Sequence, residues 1–384
     1  MIPRPIWLTR VESAWKKAPI AWLAGVRRTG KTTLAAQIDG ARYVNCDLPS
    51  SKDLLRDPEA FYAALSEAYV VLDEVHQLDD PSATLKIAAD AFPKLKILAT
   101  GSSTLSATSK FRDALTGRKR TVHLVPVLYE ELEAFGSDVR KRLLHGGLPP
   151  MLLAETVDQE AYSEWMDSFY ARDVQELFRV EKRSAFLKLC ELLLRQSGGL
   201  FEVTSLARDA GLSRPTVMTY LEVLETTHAI TVLRPHHGGA AHEILAQPKV
   251  YGFDTGFVCH AKRWDTLRDD DCGLLWEHVV LETLQSIEGV IEIRFWRDKS
   301  QREVDFVLPR TRDACDAIEC KWSSESFRPQ SLAAFRTAYP KGRNFVVSPR
   351  RAPPVTRREG GLEVTHLGLD RLRTALPLTG ARAR

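Results

Sequence analysis

Gly25-Val26-Arg27-Arg28-Thr29-Gly30-Lys31-Thr32 carries the full spacing of a phosphate-binding P-loop. The apolar run Ala21–Ala24 before it suits a buried parallel strand, and Thr33–Ile38 after it has helical spacing. The glycines therefore fall at a strand-to-helix turn. Glycine lets successive N–H groups aim at one point, and a helix N-terminus adds partial positive charge there. This pattern predicts that Gly25, Arg28, Thr29, Gly30, Lys31, Thr32 and Thr33 hold ATP, with Lys31 reaching the β- and γ-phosphates and the Thr32 hydroxyl ligating Mg2+.

Tyr69-Val70-Val71-Leu72 runs directly into Asp73 and Glu74, a Walker B pattern. Phosphoryl transfer needs charge neutralisation and a positioned nucleophile more than covalent chemistry. Asp73 is expected to hold Mg2+ through water, and Glu74 to polarise the attacking water as the catalytic base. A third apolar run, Leu95–Ala99, ends in Thr100-Gly101-Ser102-Ser103. Hydroxyls at the carboxyl end of a strand sit where open α/β sheets bind ligands, so Ser102 or Ser103 would either sense the γ-phosphate or cap the next helix.

A second set of chemically capable residues lies in the carboxyl third. Glu277 falls on a helical pattern at Leu274–Val280, Asp305 on a strand pattern at Arg302–Leu308, and Glu319 with Lys321 on the next strand, at Ala317–Trp322. Side chains alternate along a strand, so Glu319 and Lys321 share a face. The expectation is one pocket in which Glu277, Asp305 and Glu319 hold a metal and Lys321 steadies or deprotonates a water that attacks a phosphodiester. Paired surface charges on an edge hairpin are the alternative.

Between these sets, Thr204–Ala210 reads as a helix, Gly211-Leu212-Ser213 as a tight turn and Arg214–Leu224 as a second helix with Pro215 in its first turn. Ile230–Arg234 follows as the first strand of a wing. In a DNA reader Arg214, Thr216 and Thr219 would face a groove or phosphates; the same module also docks proteins.

These groups need elements to position them. The 384 residues suit two to three domains, each able to bury a core. Residues 1–135 alternate strand and helix as a parallel α/β domain, 136–198 read as a helical bridge, 199–245 as a winged helix-turn-helix, and 246–384 as a further α/β domain. From Arg294 onward Lys and Arg outnumber Asp and Glu by nine, whereas the residues before it carry a net −6, so a polyanion such as DNA suits the carboxyl end. An Arg-rich tail that only aids solubility (Arg371, Arg373, Arg382, Arg384) is the plainer reading. Six scattered cysteines form no CxxC or Cys/His set, which implies reduced thiols and a cytoplasmic setting. No apolar run approaches the ~20 residues of a membrane span.

Across nearly its whole length the chain resembles the prokaryotic AAA+/STAND-like ATPases whose carboxyl half joins a winged helix to a PD-(D/E)xK nuclease-like fold. The landmarks are Gly25–Thr33, Val70–Glu74, Thr100–Ser103, Gly117-Arg118, Gly146–Pro149, Lys249–Gly256, Glu277, Glu303–Phe306 and Glu319-Cys320-Lys321. The resemblance implies an α/β fold with an AAA+-like ATPase domain and a nuclease-like domain. It also implies a sensor-1 role for Ser102 and an arginine acting in trans, drawn from Arg118, Arg120 and Arg172, within a homo-oligomer formed in ATP. The function expected is an ATPase coupled to nucleic-acid binding. A regulatory switch whose carboxyl domains bind protein partners without cutting DNA is the alternative.

Overall fold

The computed structural model describes all residues except 103–104, 106–107, 176–181, 237–246, 291, 312 and 377–384. Among the described residues no helix is long and apolar enough to cross a membrane. By contact the chain divides into two compact units. The first comprises Met1–Val125 with Trp165–Glu181 and Thr226–His228, and the second Pro126–Glu164, Lys182–Glu225 and Ala229–Arg384.

The first unit is built on β1 (Ile20–Ala24), β2 (Ala41–Asn45), β3 (Tyr69–Asp73), β4 (Lys96–Thr100) and β5 (Lys119–His123), in the order β2-β3-β4-β1-β5. Every pairing is parallel. Parallel sheets are covered on both faces, so their strands read as continuous apolar runs; β1, fully buried, does so. β1, β3 and β4 fall within a residue of the expected runs. β2 and β5 escape a hydropathy reading, because as edge strands they keep exposed polar residues. One face of the sheet buries Trp22, Leu72 and Ile97 against Phe61, Leu85 and Phe111, with Trp22 and Phe111 meeting edge to face at 4.9 Å. Gly101 exists for this packing, since a Cβ there would lie 2.8 Å from the Trp22 ring.

The second unit holds a six-stranded mixed sheet from β8 (Arg294–Arg297), β9 (Glu303–Pro309), β10 (Cys315–Cys320), β11 (Asn344–Ser348), β12 (Val355–Glu359) and β13 (Leu362–Gly368), in the order β12-β13-β11-β10-β9-β8. Helix Asp269–Ser286 carries Glu277 and buries Leu275, Val279 and Leu284. Helices Val203–Ala210 and Arg214–Thr226 flank Gly211, whose φ of +69° ends the first of them. They are followed by β6 (Ile230–Leu233), paired antiparallel with β7 (Lys249–Gly252). Within 136–198, expected as a helical bridge, lie helix Gln159–Phe169, a π-helical turn Tyr170–Gln175 and helix Arg183–Arg195.

A buried polar hub ties the second unit together and accounts for several landmark residues. Asp254 accepts N–H groups from Gly147 (2.6 Å) and Gly256 (2.8 Å). Arg142, fully buried, donates to the Val127 carbonyl (2.8 Å) and the Thr255 hydroxyl (2.9 Å) and pairs with Glu282. A Cβ on Gly146 would lie 1.9 Å from the Asp254 carboxylate, so only glycine fits.

Candidate functional site

β1 delivers the P-loop to the carboxyl end of its sheet. Gly25 (φ +153°) and Gly30 (φ +93°) take backbone conformations that side chains resist. At Gly25 a Cβ would also lie 2.4 Å from the Leu124 carbonyl oxygen. The buried Thr29 hydroxyl donates to the Val26 carbonyl (2.9 Å), and Arg4 donates to the Thr29 carbonyl (3.0 Å), which fixes the loop from both sides. Lys31 Nζ donates to the carbonyls of Gly25 (2.8 Å) and Val26 (3.0 Å). Burial lowers the Lys31 pKa, and Glu74 and Asp173 oppose that shift. Thr32 and Thr33 are exposed at the start of helix Lys31–Ala35, and Arg28 is exposed at φ +63°.

The acidic strand end is held from the adjacent strands. Asp73 is buried; its carboxylate accepts the Thr100 hydroxyl from β4 and the Tyr43 hydroxyl (2.6 Å) from β2. The Glu74 N–H donates to Thr100 Oγ1 (3.0 Å), and Glu74 itself sits at φ +57°. That conformation is costly for a non-glycine residue and turns its carboxylate out of the strand direction. His76 Nδ1 lies 3.2 Å from Glu74 Oε2, and this contact is the main reason the Glu74 pKa lies below the usual glutamate value. The Ser102 N–H lies 3.3 Å from the same His76 nitrogen, which can accept it only when it carries no proton for Glu74, so the two contacts alternate. Ser103 lies outside the described residues. The oxygens that Thr32 and Asp73 carry are of the hard kind that Mg2+ takes.

Within its own chain Arg118 lies away from this site, as an arginine that serves a neighbouring copy would. Its carbonyl accepts the Ile20 N–H (3.2 Å) at the start of β1, about 15 Å of strand away from the P-loop. Its guanidinium is held by both Asp90 oxygens (2.5 and 3.0 Å). The Gly117-Arg118 landmark thus marks the entry to β5. Sequence reasoning also missed Arg27, Tyr43 and His76, and it placed Thr100 among the strand-end hydroxyls without its bond to Asp73. Tyr43 and Thr100 act only because β2 and β4 flank β3, an order that no local pattern encodes. The His76 signal was available, two residues after the acid.

In the second unit, the antiparallel pairing of β9 with β10 runs to Phe306↔Ile318, and Asp305 and Glu319 are the next residues at that end of the two strands. Lys321 Nζ lies 2.7 Å from Glu319 Oε2 and 3.6 Å from Asp305 Oδ2. The Cys320 N–H donates to Asp305 (2.7 Å). Glu277 accepts the Tyr251 hydroxyl (2.7 Å) and lies 3.9 Å from Lys249, which also pairs with Glu303. Burial first, and then the Asp305 charge, push the Glu277 and Glu319 carboxyls above the usual glutamate range. Burial works against the Lys321 ammonium, but Asp305 and Glu319 outweigh it and raise its pKa. The four expected residues gather, with ammonium groups set among the carboxylates. Among the described residues no group of three or more His, Cys, Asp or Glu side chains is arranged to hold a metal ion. The carboxylates meet ammonium groups, Glu277 at the unforeseen Lys249 and Asp305 with Glu319 at Lys321.

On helix Arg214–Thr226, Arg214 and Thr219 are exposed and Thr216 partly so. The Thr216 N–H donates to Ser213 Oγ (3.2 Å), which caps the helix, and its hydroxyl bonds that oxygen at 2.8 Å. The Thr219 hydroxyl donates to the Pro215 carbonyl (3.2 Å).

Residues 17–133 match the family model described as an AAA domain. With the parallel sheet and P-loop described above, residues 17–133 have the fold of a P-loop nucleotide-binding domain and are similar to the AAA domain. Residues 136–268 and 272–367 match models described only as domains of unknown function, DUF8612 and DUF4143. Among curated proteins the chain is similar to the uncharacterized proteins Rv2008c of Mycobacterium tuberculosis and Mb2031c of Mycobacterium bovis. Each is 27% identical over 322 residues, covering 80% of this chain and 71% of the relative. Among solved structures, the Walker-type ATPase PABY2304 of Pyrococcus abyssi is 17% identical at a TM-score of 0.44, covering 68% of this chain and 96% of that one.

Proposed function

We propose that this protein hydrolyses ATP at Lys31, Thr32, Asp73 and Glu74 and couples the nucleotide state to nucleic-acid binding by its carboxyl half. The observation that carries the first part is the convergence of a structured P-loop with an acidic strand end whose two carboxylates are separately held. Asp73 is fixed by two hydroxyls, whereas Glu74 is turned aside and kept ionised by His76. Lys31 would neutralise phosphate charge, Glu74 would orient water toward the γ-phosphate, and Mg2+ held by Thr32 and Asp73 would offset charge on the β- and γ-oxygens. Coupling to nucleic acid rests on the basic carboxyl end and on a helix-turn-helix followed by a two-stranded sheet, an arrangement read here as a winged helix that offers Arg214. The test is ATP turnover with and without single-stranded, duplex and branched DNA, at low and moderate salt. Stimulation that fades with salt supports the reading; turnover indifferent to every DNA rejects the coupling.

A second reading has its own support. The Thr216 and Thr219 hydroxyls are engaged within their helix, and the exposed face around them carries Met218 and Glu222. That composition suits a protein partner, and the absence of salt-dependent DNA binding would favour it. Nuclease action at Glu277, Asp305, Glu319 and Lys321 is a separate question, answered by whether Mg2+ or Mn2+ elicits DNA cleavage that Asp305→Ala abolishes.

A further inference from the structure

Asp173 is an acid that neither the P-loop nor the acidic strand accounts for. It lies in the π-helical turn Tyr170–Gln175, which belongs by contact to the first unit although it falls far outside the residues matched to the AAA domain. Single π-helical turns concentrate at functional positions because they re-aim a side chain at the cost of regular bonding. This one aims Asp173 at the phosphate-binding loop. Arg27 Nε donates to Asp173 Oδ2 at 2.6 Å, with the carboxylate almost fully buried. Trp165, on the preceding helical turns and stacked on Phe169 (5.2 Å between centroids), donates to the Arg27 carbonyl at 3.2 Å. The segment therefore grips one P-loop residue by both backbone and side chain.

Arg27 acts electrostatically on both Lys31 and Glu74, the two groups that would flank a γ-phosphate, and Asp173 acts on Lys31. A guanidinium so placed suits phosphate oxygens as well as it suits a carboxylate. A carboxylate beside them repels a phosphate chain in proportion to its charge. We propose that Arg27 is a specificity-determining residue of the nucleotide site, engaged by a γ-phosphate that ADP lacks, and that Asp173 is the positioning residue that holds it and that ATP must displace. This rests on the ATP reading above. It assigns to the segment after the ATPase domain a part in telling ATP from ADP.

The test uses the full-length protein with Mg2+ and measures binding of a non-hydrolysable ATP analogue and of ADP. Asp173→Asn keeps the shape and removes the charge. It should tighten the ATP analogue about tenfold, one charged hydrogen bond's worth, and change ADP by less than about twofold. Arg27→Ala should weaken the analogue by a similar factor, spare ADP and erase the gain when combined with Asp173→Asn. If Asp173→Asn does not fold, the Arg27→Ala arm decides alone. Unchanged or weakened analogue binding in Asp173→Asn, equal tightening of both nucleotides, or equal loss of both in Arg27→Ala overturns the assignment. A wild-type protein that binds neither nucleotide overturns the ATP reading itself, and this assignment with it.

Discussion

Lys31 and Glu74 share one site but are expected to fail differently. Lys31→Ala removes the cation that faces the phosphates and should abolish ATP binding. Glu74→Gln keeps Asp73 and Thr32, so it should bind ATP normally and turn over at least about a hundredfold more slowly, as loss of a positioned general base does. Wild-type turnover in Glu74→Gln would remove Glu74 from the water-orienting role. Thr100 offers a finer probe, because one hydroxyl serves both the Asp73 carboxylate and the Glu74 N–H. Thr100→Val preserves shape and deletes both bonds. It should lower turnover about tenfold, with stability falling by about 1–3 kcal/mol as a buried carboxylate loses a donor. Single-turnover kinetics beside a denaturant melt separate the two effects.

Among the elements, the carboxyl end of β5 carries a histidine with a partner from far along the chain. The rings of His123 and His228 meet at a tilt of 32° with centroids 4.1 Å apart, and His228 sits at φ +60° just after helix Arg214–Thr226. Burial, aided by Lys31, lowers His228 to about 4 from the ordinary 6.5; burial, the neighbouring ring and Lys31 place His123 well below that ordinary value too. The unfolded chain therefore takes up protons first as the pH falls. The stability contributed by the neutral pair is complete above about pH 6.5 and is lost toward about pH 4. Melts of the first unit between pH 7 and 4.5 should show a loss of about 2 kcal/mol from His228, which His228→Gln abolishes. An unaltered pH profile in that variant would mean that the ring titrates normally. In the second unit, Gly146→Ala drives a Cβ into the Asp254 carboxylate that caps helix Thr255–Lys262. It should cost several kcal/mol, at least about 3, seen as a lowered thermal midpoint.

At the scale of the whole molecule, each unit has its own sheet and its own buried core, so the two are expected to unfold in separate transitions. Asp305→Ala leaves the Cys320 N–H without its carboxylate and Lys321 with Glu319 as its nearer partner, while relieving the repulsion on Glu277 and Glu319. An orphaned buried donor costs about 1–3 kcal/mol, so the second transition should fall while the first, and ATP turnover, stay in place. Calorimetry paired with an ATPase assay reads both, and loss of turnover in Asp305→Ala would show that the sites depend on each other.

The P-loop, the acidic strand end and the helix-turn-helix were legible in the chain because each is local. Glycine spacing, an apolar run ending in carboxylates, and a Ser213 cap before Pro215 are written within a dozen residues of one another. Asp305, Glu319 and Lys321 were legible as neighbours through strand alternation. What alternation left open was their company: Lys249 and Tyr251 arrive on β7, and the ammonium groups meet the carboxylates where a metal was expected. Tyr43, Thr100 and Asp173 reach the nucleotide site from three distant segments, and His228 reaches His123 at the end of β5. Strand order and long-range packing bring them there, and neither leaves a periodic trace in sequence. The residues that can do chemistry were thus determined locally, while the partners that hold, tune or oppose them were decided only when the tertiary structure brought remote segments together.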